Sequence, residues 1–268
     1  MKRKLPLILL SLFFLCVASY SGIRLYDQWG AYREGERLYR DLTQYVHQVS
    51  PSRPNTPAQE TPADLEPVES TTAPAEPEAN IFPQVDFDAL TRINPQVVGW
   101  ICIQGTNINY PIVQADDNSR YLNRLFDGTP NGAGSIFLDY RNDSGLSDRN
   151  SILYGHHMKN GTMFQQITCY KDQSFYEAHP TALVMTPHGN YTLEFIAGYV
   201  TGLNTQAWKL EFGSEEEFTH WLEEAVARST FAATTDITPG DRVMTLSTCT
   251  YEYDDARYVL IGILREHN

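Results

Sequence analysis

The chain has 268 residues, with 33 acidic against 20 basic side chains and a formal net charge of −13. That balance excludes a nucleic-acid binder, whose basic face would dominate. Four cysteines with no Cys-x-x-Cys pair exclude a disulfide-built scaffold and argue against a structural zinc site.

The first segment reads as a membrane anchor. Lys2, Arg3 and Lys4 form a basic end (residues 1–4), and no charge follows from Leu5 to Ile23. At about 1.5 Å per residue such a run spans roughly 28 Å, close to a hydrocarbon core. The basic flank predicts a cytoplasmic N-terminus and everything after Arg24 outside. The alternative is a leader cleaved near Val17-Ala18-Ser19; the length of the run and its amphipathic continuation argue against it. Cys16 is read as an apolar residue of the span. Residues 24–50 predict a juxtamembrane helix, with Tyr26, Trp29, Tyr32, Leu38, Tyr39, Leu42 and Tyr45 three or four apart. From residue 51 to 80 the chain carries seven of its fifteen prolines among Ser, Thr, Ala and Glu. That composition buries no core and predicts an extended acidic spacer. A spacer after an anchor implies a domain that works at some reach from the bilayer.

Residues 81–268 are expected to fold as one domain. A short helix is predicted at Asp86 to Ile93, then strands at Val97 to Ile103 and Ile108 to Val113. Asn118 to Leu125 reads as helical, and Ser135 to Asp139 and Ser151 to Tyr154 as buried strands. Helical turns follow at Met163 to Ile167 and Ser174 to Ala178. A hairpin is predicted from Ala182 to Thr186 and Tyr191 to Val200. Ser214 to Ala227 is the clearest helix of the domain: Ser214 caps it, three glutamates occupy its first turn, and Phe218, Trp221, Leu222 and Val226 form its stripe. Arg242 to Thr248 and Tyr258 to Leu264 are the last strands. Short strands with a few helices predict a mainly β fold, a closed or half-closed barrel carrying flanking helices.

Chemistry concentrates in Thr245-Leu246-Ser247-Thr248-Cys249 with Arg257, and in Tyr154-Gly155-His156-His157. Cys249 ends an apolar strand and enters a polar loop, where a scaffold exposes reactive groups. A thiolate nucleophile needs a proton acceptor and a positive neighbour. A histidine supplies the first, and a strand–loop–strand hairpin brings Arg257 beside Cys249. Each residue also has an ordinary reading: a buried cysteine, an arginine paired with Asp254 or Asp255, histidines in a polar loop.

The cysteine motif with Arg257 resembles the signature of the sortases, membrane-anchored cysteine transpeptidases of Gram-positive bacteria. The resemblance extends from about Phe87 onward. It includes Asn94-Pro95-Gln96-Val97-Val98-Gly99-Trp100-Ile101, Asn109-Tyr110-Pro111-Ile112-Val113-Gln114, and Ser151-Ile152-Leu153-Tyr154-Gly155-His156. The helix from Ser214 and Met158-Lys159-Asn160-Gly161-Thr162-Met163-Phe164 are similar to the class B branch.

The resemblance implies a closed barrel of about eight strands, with cleavage of a C-terminal sorting signal, usually between Thr and Gly, in secreted proteins. Cys249 would form a thioacyl enzyme, and His156, selected over His157, would act as general acid and base. Arg257 would steady the oxyanion, and backbone N–H groups near Cys249 would complete that site. An amine of peptidoglycan precursor, or of a pilin subunit, would resolve the thioester. Ser247, Tyr154 and Asn123 are candidates for substrate contacts, against a reading as ordinary packing. Cys102 and Cys169 are expected to stay unpaired. No metal or cofactor is expected, because Asp116-Asp117 and Asp254-Asp255 lack the spacing of a cation cage. The alternatives are a hydrolytic cysteine peptidase and a non-enzymatic, stalked surface-binding module. The expected location is the cell membrane, crossed once, with the catalytic domain extracellular.

Overall fold

The computed structural model describes residues 4–47 and 82–267. The expected basic end up to Arg3 and the Pro-rich segment 51–80 lie outside the described residues. Helix α1 (Lys4–Leu42) runs unbroken through the expected span and the expected juxtamembrane helix. Among the described residues no helix is long and apolar enough to cross a membrane, so the span at Leu5–Ile23 rests on the sequence pattern.

The C-terminal turns of α1 do not stand apart from the domain. Tyr39 and Leu42 are buried in its main core. The Tyr39 ring meets Tyr110 edge-on at 5.1 Å between centroids. Its hydroxyl donates to the Gly134 carbonyl at 2.6 Å. Asn131 donates to the Ala31 carbonyl at 2.9 Å, and Asn160 to Glu36 at 2.8 Å. After a 3₁₀ turn at Thr43–Tyr45 the chain enters β1 (Val46–His47), so the helix ends earlier than its apolar stripe suggests. β1 pairs antiparallel with β2 (Gln84–Val85), Val46 opposite Val85 and His47 opposite Gln84. The last turns of α1 and β1 thus pack together with residues that follow position 81.

Helix α2 (Phe87–Ile93) is capped by Asp86, whose carboxylate accepts from the Ala89 N–H at 2.8 Å. The rest is built on β3 (Val97–Cys102), β4 (Asn109–Val113), β5 (Ile136–Leu138) and β6 (Asn150–Tyr154). Helix α3 (Gln173–Ala178), β7 (Thr181–Thr186), β8 (Gly189–Thr201), helix α4 (Glu215–Ala227), β9 (Val243–Cys249) and β10 (Arg257–His267) complete it. Eight strands close a barrel in the order β10-β8-β7-β3-β4-β5-β6-β9. The expected helix over Asn118 to Leu125 is only a 3₁₀ turn at Arg120–Leu122. Asp117 accepts from the Ser119 and Arg120 N–H groups, which holds a turn in place of a helix.

Strand β10 is apolar on both faces because both are covered. Tyr258, Leu260 and Leu264 face the main core, while Val259, Ile261 and Ile263 join a second core under α4. The face of α4 that closes this second core is Phe218, Trp221, Leu222 and Ala225. Val226, expected in the stripe, is exposed and Ala225 takes its place. One register shift of β10 against β8 falls at Ile261/Gly262. A Cβ on Gly262 would meet Leu193 at 2.8 Å, so the shift needs glycine there.

Candidate active site

Two strand pairings bring the reactive residues together. Strands β6 and β9 run parallel, with Tyr154 opposite Ser247. The ladder's last contact is the Gly155 N–H to the Ser247 carbonyl, 3.1 Å. Past this point β6 gives way to the loop Gly155-His156-His157, while β9 runs on through Thr248-Cys249, still paired with β10. Strands β9 and β10 are antiparallel, with Arg257 directly opposite Cys249.

His156, Cys249 and Arg257 consequently line one cleft of about 400 Å³, together with Tyr154 and Ser247. Asn123 is not in it. It is exposed, and its carbonyl accepts from the Asn131 N–H. Asn118 and Leu122 line the cleft instead. They were missed because the bend at Asn118 and the 3₁₀ turn ending at Leu122 carry no periodic signal.

The cleft residues are held by specific contacts. The His156 Nε2 lies 2.6 Å from the Leu122 carbonyl. A carbonyl only accepts, so Nε2 carries the hydrogen and Nδ1 is left to exchange a proton. The ring rests on Gly134: a Cβ there would stand 3.0 Å from His156 Cδ2 and 2.8 Å from the Leu122 carbonyl, and its φ is +63°. Gly155 serves by clearance, not by φ, since a Cβ would meet Ile136 at 2.5 Å and Phe164 at 2.7 Å. The Arg257 Nη1 donates to the Ala256 carbonyl at 3.0 Å. Among the described residues no ion pair joins Arg257 to Asp254 or Asp255.

Ser247 and Tyr154 line the cleft with their hydroxyls already engaged. Trp208 Nε1 donates to Ser247 Oγ at 3.2 Å. The Tyr154 hydroxyl donates to Asp139 at 2.9 Å. Burial, together with the Asp139 charge, pushes the Tyr154 phenol above its ordinary range. Asp139 is fully buried and also takes two bonds from the Arg141 side chain and one from Asn118. Burial raises its carboxyl, but the bonds from Arg141, Asn118 and Tyr154 outweigh that and hold it below the usual range. The Thr250 N–H, next to Cys249, donates to the Ala256 carbonyl at 3.0 Å and is already committed. Cys102 and Cys169 are unpaired, and burial pushes both thiols up.

Fold and cleft together define a class: a closed-barrel enzyme whose cleft joins a cysteine, a histidine and an arginine. A sortase domain family model matches residues 101–264. The chain is 36% identical over 179 residues to sortase B of Staphylococcus aureus (strain NCTC 8325 / PS 47), which covers 67% of this chain and 73% of that protein. It is 38% identical over 177 residues to sortase B of Listeria monocytogenes serovar 1/2a (strain ATCC BAA-679 / EGD-e), covering 65% and 72%. A solved Staphylococcus aureus sortase B–substrate complex matches with a TM-score of 0.65 at 35% identity, over 68% of this chain and 85% of that one. The chain belongs to the sortase family, on its class B branch. It is thereby a cysteine transpeptidase of Gram-positive cell-wall protein anchoring.

Proposed function

We propose that Cys249 is the nucleophile of a transpeptidase that cleaves a C-terminal sorting signal at a Thr-Gly type bond. Cys249 Sγ attacks the threonine carbonyl carbon, and the tetrahedral oxyanion forms beside the Arg257 guanidinium. The C–N bond breaks as His156 gives its proton to the departing amine. This leaves a thioacyl enzyme. An incoming amine, from peptidoglycan precursor or a pilin subunit, attacks the thioester while His156 takes its proton, and Cys249 leaves as thiolate. The observation that carries the reading is the β9–β10 register, which sets Arg257 opposite Cys249 in the cleft that His156 also lines.

A membrane location follows from the same reading. Leu12, Phe13, Phe14, Leu15, Tyr20 and Ile23 on α1 are all exposed, an apolar surface that water alone does not favour. Leu5–Ile23 crosses the membrane once and leaves the barrel outside.

The test uses the detergent-solubilised full chain with a library of sorting-signal peptides, with and without added amine, read by mass spectrometry. Amine-dependent ligation product is expected, and none from Cys249→Ala. Turnover by Cys249→Ala would end the reading. Hydrolysis unaffected by any amine would favour a peptidase.

A further inference from the structure

Beyond Tyr154 and Ser247 the β6–β9 ladder stops, yet the two chain ends it releases carry the cleft's histidine and cysteine. Two side chains take over where the backbone pairing ends. Thr248 Oγ1 donates to the Gly155 carbonyl at 2.7 Å. The His157 Nδ1 lies 2.9 Å from the carbonyl of Cys249 itself. That carbonyl is an acceptor only, so Nδ1 is the donor. His157 is in turn fixed from two directions. Its backbone bridges to Met163 through the bond from the Phe164 N–H to the His156 carbonyl, 2.9 Å. Its ring meets Tyr251 edge-on at 5.0 Å. On the far side of the nucleophile, Lys171 bonds to Glu252 and, at 3.1 Å, to Thr250.

We propose that His157 is a positioning residue. Its Nδ1–H grips the Cys249 carbonyl and so fixes the nucleophile's backbone relative to the neighbouring His156. This rests on the assignment of Cys249 as nucleophile. Neither imidazole replaces the other: His156 lines the cleft with its Nε2 on the Leu122 carbonyl, while His157 turns its Nδ1 onto the peptide of Cys249. The bond holds the main chain from which Sγ projects, so its loss displaces the attacking atom without emptying the cleft. Reaction rates are sensitive to such displacements, of the order of a hundred-fold for 1 Å. Loss of one neutral hydrogen bond that leaves the strand paired to β10 displaces it less, and about a ten-fold fall in kcat is expected.

Because Cys249 remains in the cleft and the peptide-binding walls are untouched, KM for the sorting peptide should change less than about two-fold. Three variants decide it: His157→Ala; His157→Phe, which keeps a ring against Tyr251 but no donor; and His157→Asn, whose side-chain amide nitrogen takes the place of Nδ1. The full chain is assayed for kcat and KM, with thermal unfolding measured alongside and Cys249→Ala as a blank. The expected result is a ten-fold lower kcat in the Phe variant, unchanged KM, and recovery to within about three-fold of the parent in the Asn variant. The Phe and Asn pair carries the test if the Ala variant does not fold. A normal kcat in His157→Phe, or an Asn variant as slow as the Phe variant, overturns the proposal. Turnover in the Cys249→Ala blank would instead overturn the nucleophile assignment.

Discussion

The cleft end of the β6–β9 pair and the face of the barrel under α1 are held in different ways. At the cleft, position depends on single polar contacts: Leu122 to His156, Thr248 to Gly155, His157 to Cys249. Under α1 it depends mainly on area, with Tyr39 packed on Tyr110 and both Tyr39 and Leu42 buried in the core that also holds Leu125 and Ala133. One hydrogen bond is worth little net stability, about 1 kcal/mol, but fixes a direction. Apolar burial is worth more and fixes a direction poorly. The two regions therefore ought to separate rate from stability, and substitutions in each can show whether they do.

The largest effects belong to the cleft. His156→Ala should lower turnover of a fluorogenic sorting peptide by about a hundred- to ten-thousand-fold, the usual worth of a general acid–base. Arg257→Lys should lose about a hundred- to a thousand-fold. An ammonium is a point charge and does not reproduce a planar fork of donors. Circular dichroism and the unfolding temperature should stay near those of the parent in both. Near-normal turnover in Arg257→Lys would leave the arginine a general electrostatic part only.

Under α1 the pattern should invert. Leu42→Ala removes a buried side chain from the main core and should destabilise by about 2–5 kcal/mol in denaturant titration. Its kcat, measured well below the unfolding transition, should be unchanged. A large loss of kcat at full stability would show that α1 is coupled to the cleft. The path for such coupling exists, since the Tyr39 hydroxyl bonds the carbonyl of Gly134, on which the His156 ring sits.

The same two regions explain what was legible in the sequence. The barrel strands, the capped helix α4 and the trio His156, Cys249 and Arg257 stood out because their signals are local. An apolar run, an N-cap or a motif is complete within a few residues. The stripe of α1 was equally visible, but periodicity shows that a face is buried and not what buries it. Tyr39 and Leu42 fit a lipid surface, a partner helix or the barrel alike. Ala225 displaced Val226 because it lies seven residues after Phe218, at the centre of the buried face, while Val226, the larger apolar residue, falls at the edge. Asn118 and Leu122 reach the cleft through a turn made by Asp117, whereas Asn123, a candidate the resemblance supplied, lies outside it.

A smaller, pH-dependent effect lies between the two regions. Asp139 has its carboxyl held below the usual range in the fold. A depressed carboxyl contributes stability that is present above its unfolded value, about 3.9, and lost as pH falls through the folded value. Asp139→Asn should therefore unfold at a lower temperature than the parent at pH 7. The gap between them should narrow as pH drops below about 4. A gap that stays constant to pH 2 would mean that Asp139 acts by shape and not by charge.

The smallest effect is expected where the sequence seemed to assign the largest mechanical part. A Pro-rich spacer in series between anchor and barrel would set the reach of the enzyme, and cutting it would set the barrel free. But His47 and Gln84, on either side of that segment, are paired neighbours, and α1 is already packed on the barrel through Tyr39 and Leu42. The packed connection between the proposed anchor and the barrel is thus α1 itself. With the proposed span ending at Ile23, reach would be set by α1: from Ile23 to Ala31, whose carbonyl takes the bond from Asn131, a helix rising about 1.5 Å per residue covers roughly 12 Å. Halving the length of chain between two paired ends changes the closure entropy by only about 0.6 kcal/mol, so deletion of residues 56–73 should leave kcat and the unfolding temperature nearly unchanged. Limited proteolysis within 51–80 should yield two fragments that co-purify and pellet together with membranes, separating only in denaturant. Release of an active barrel into the supernatant by a single cut would show that the α1 contacts are too weak to hold it, and would restore the segment as a tether.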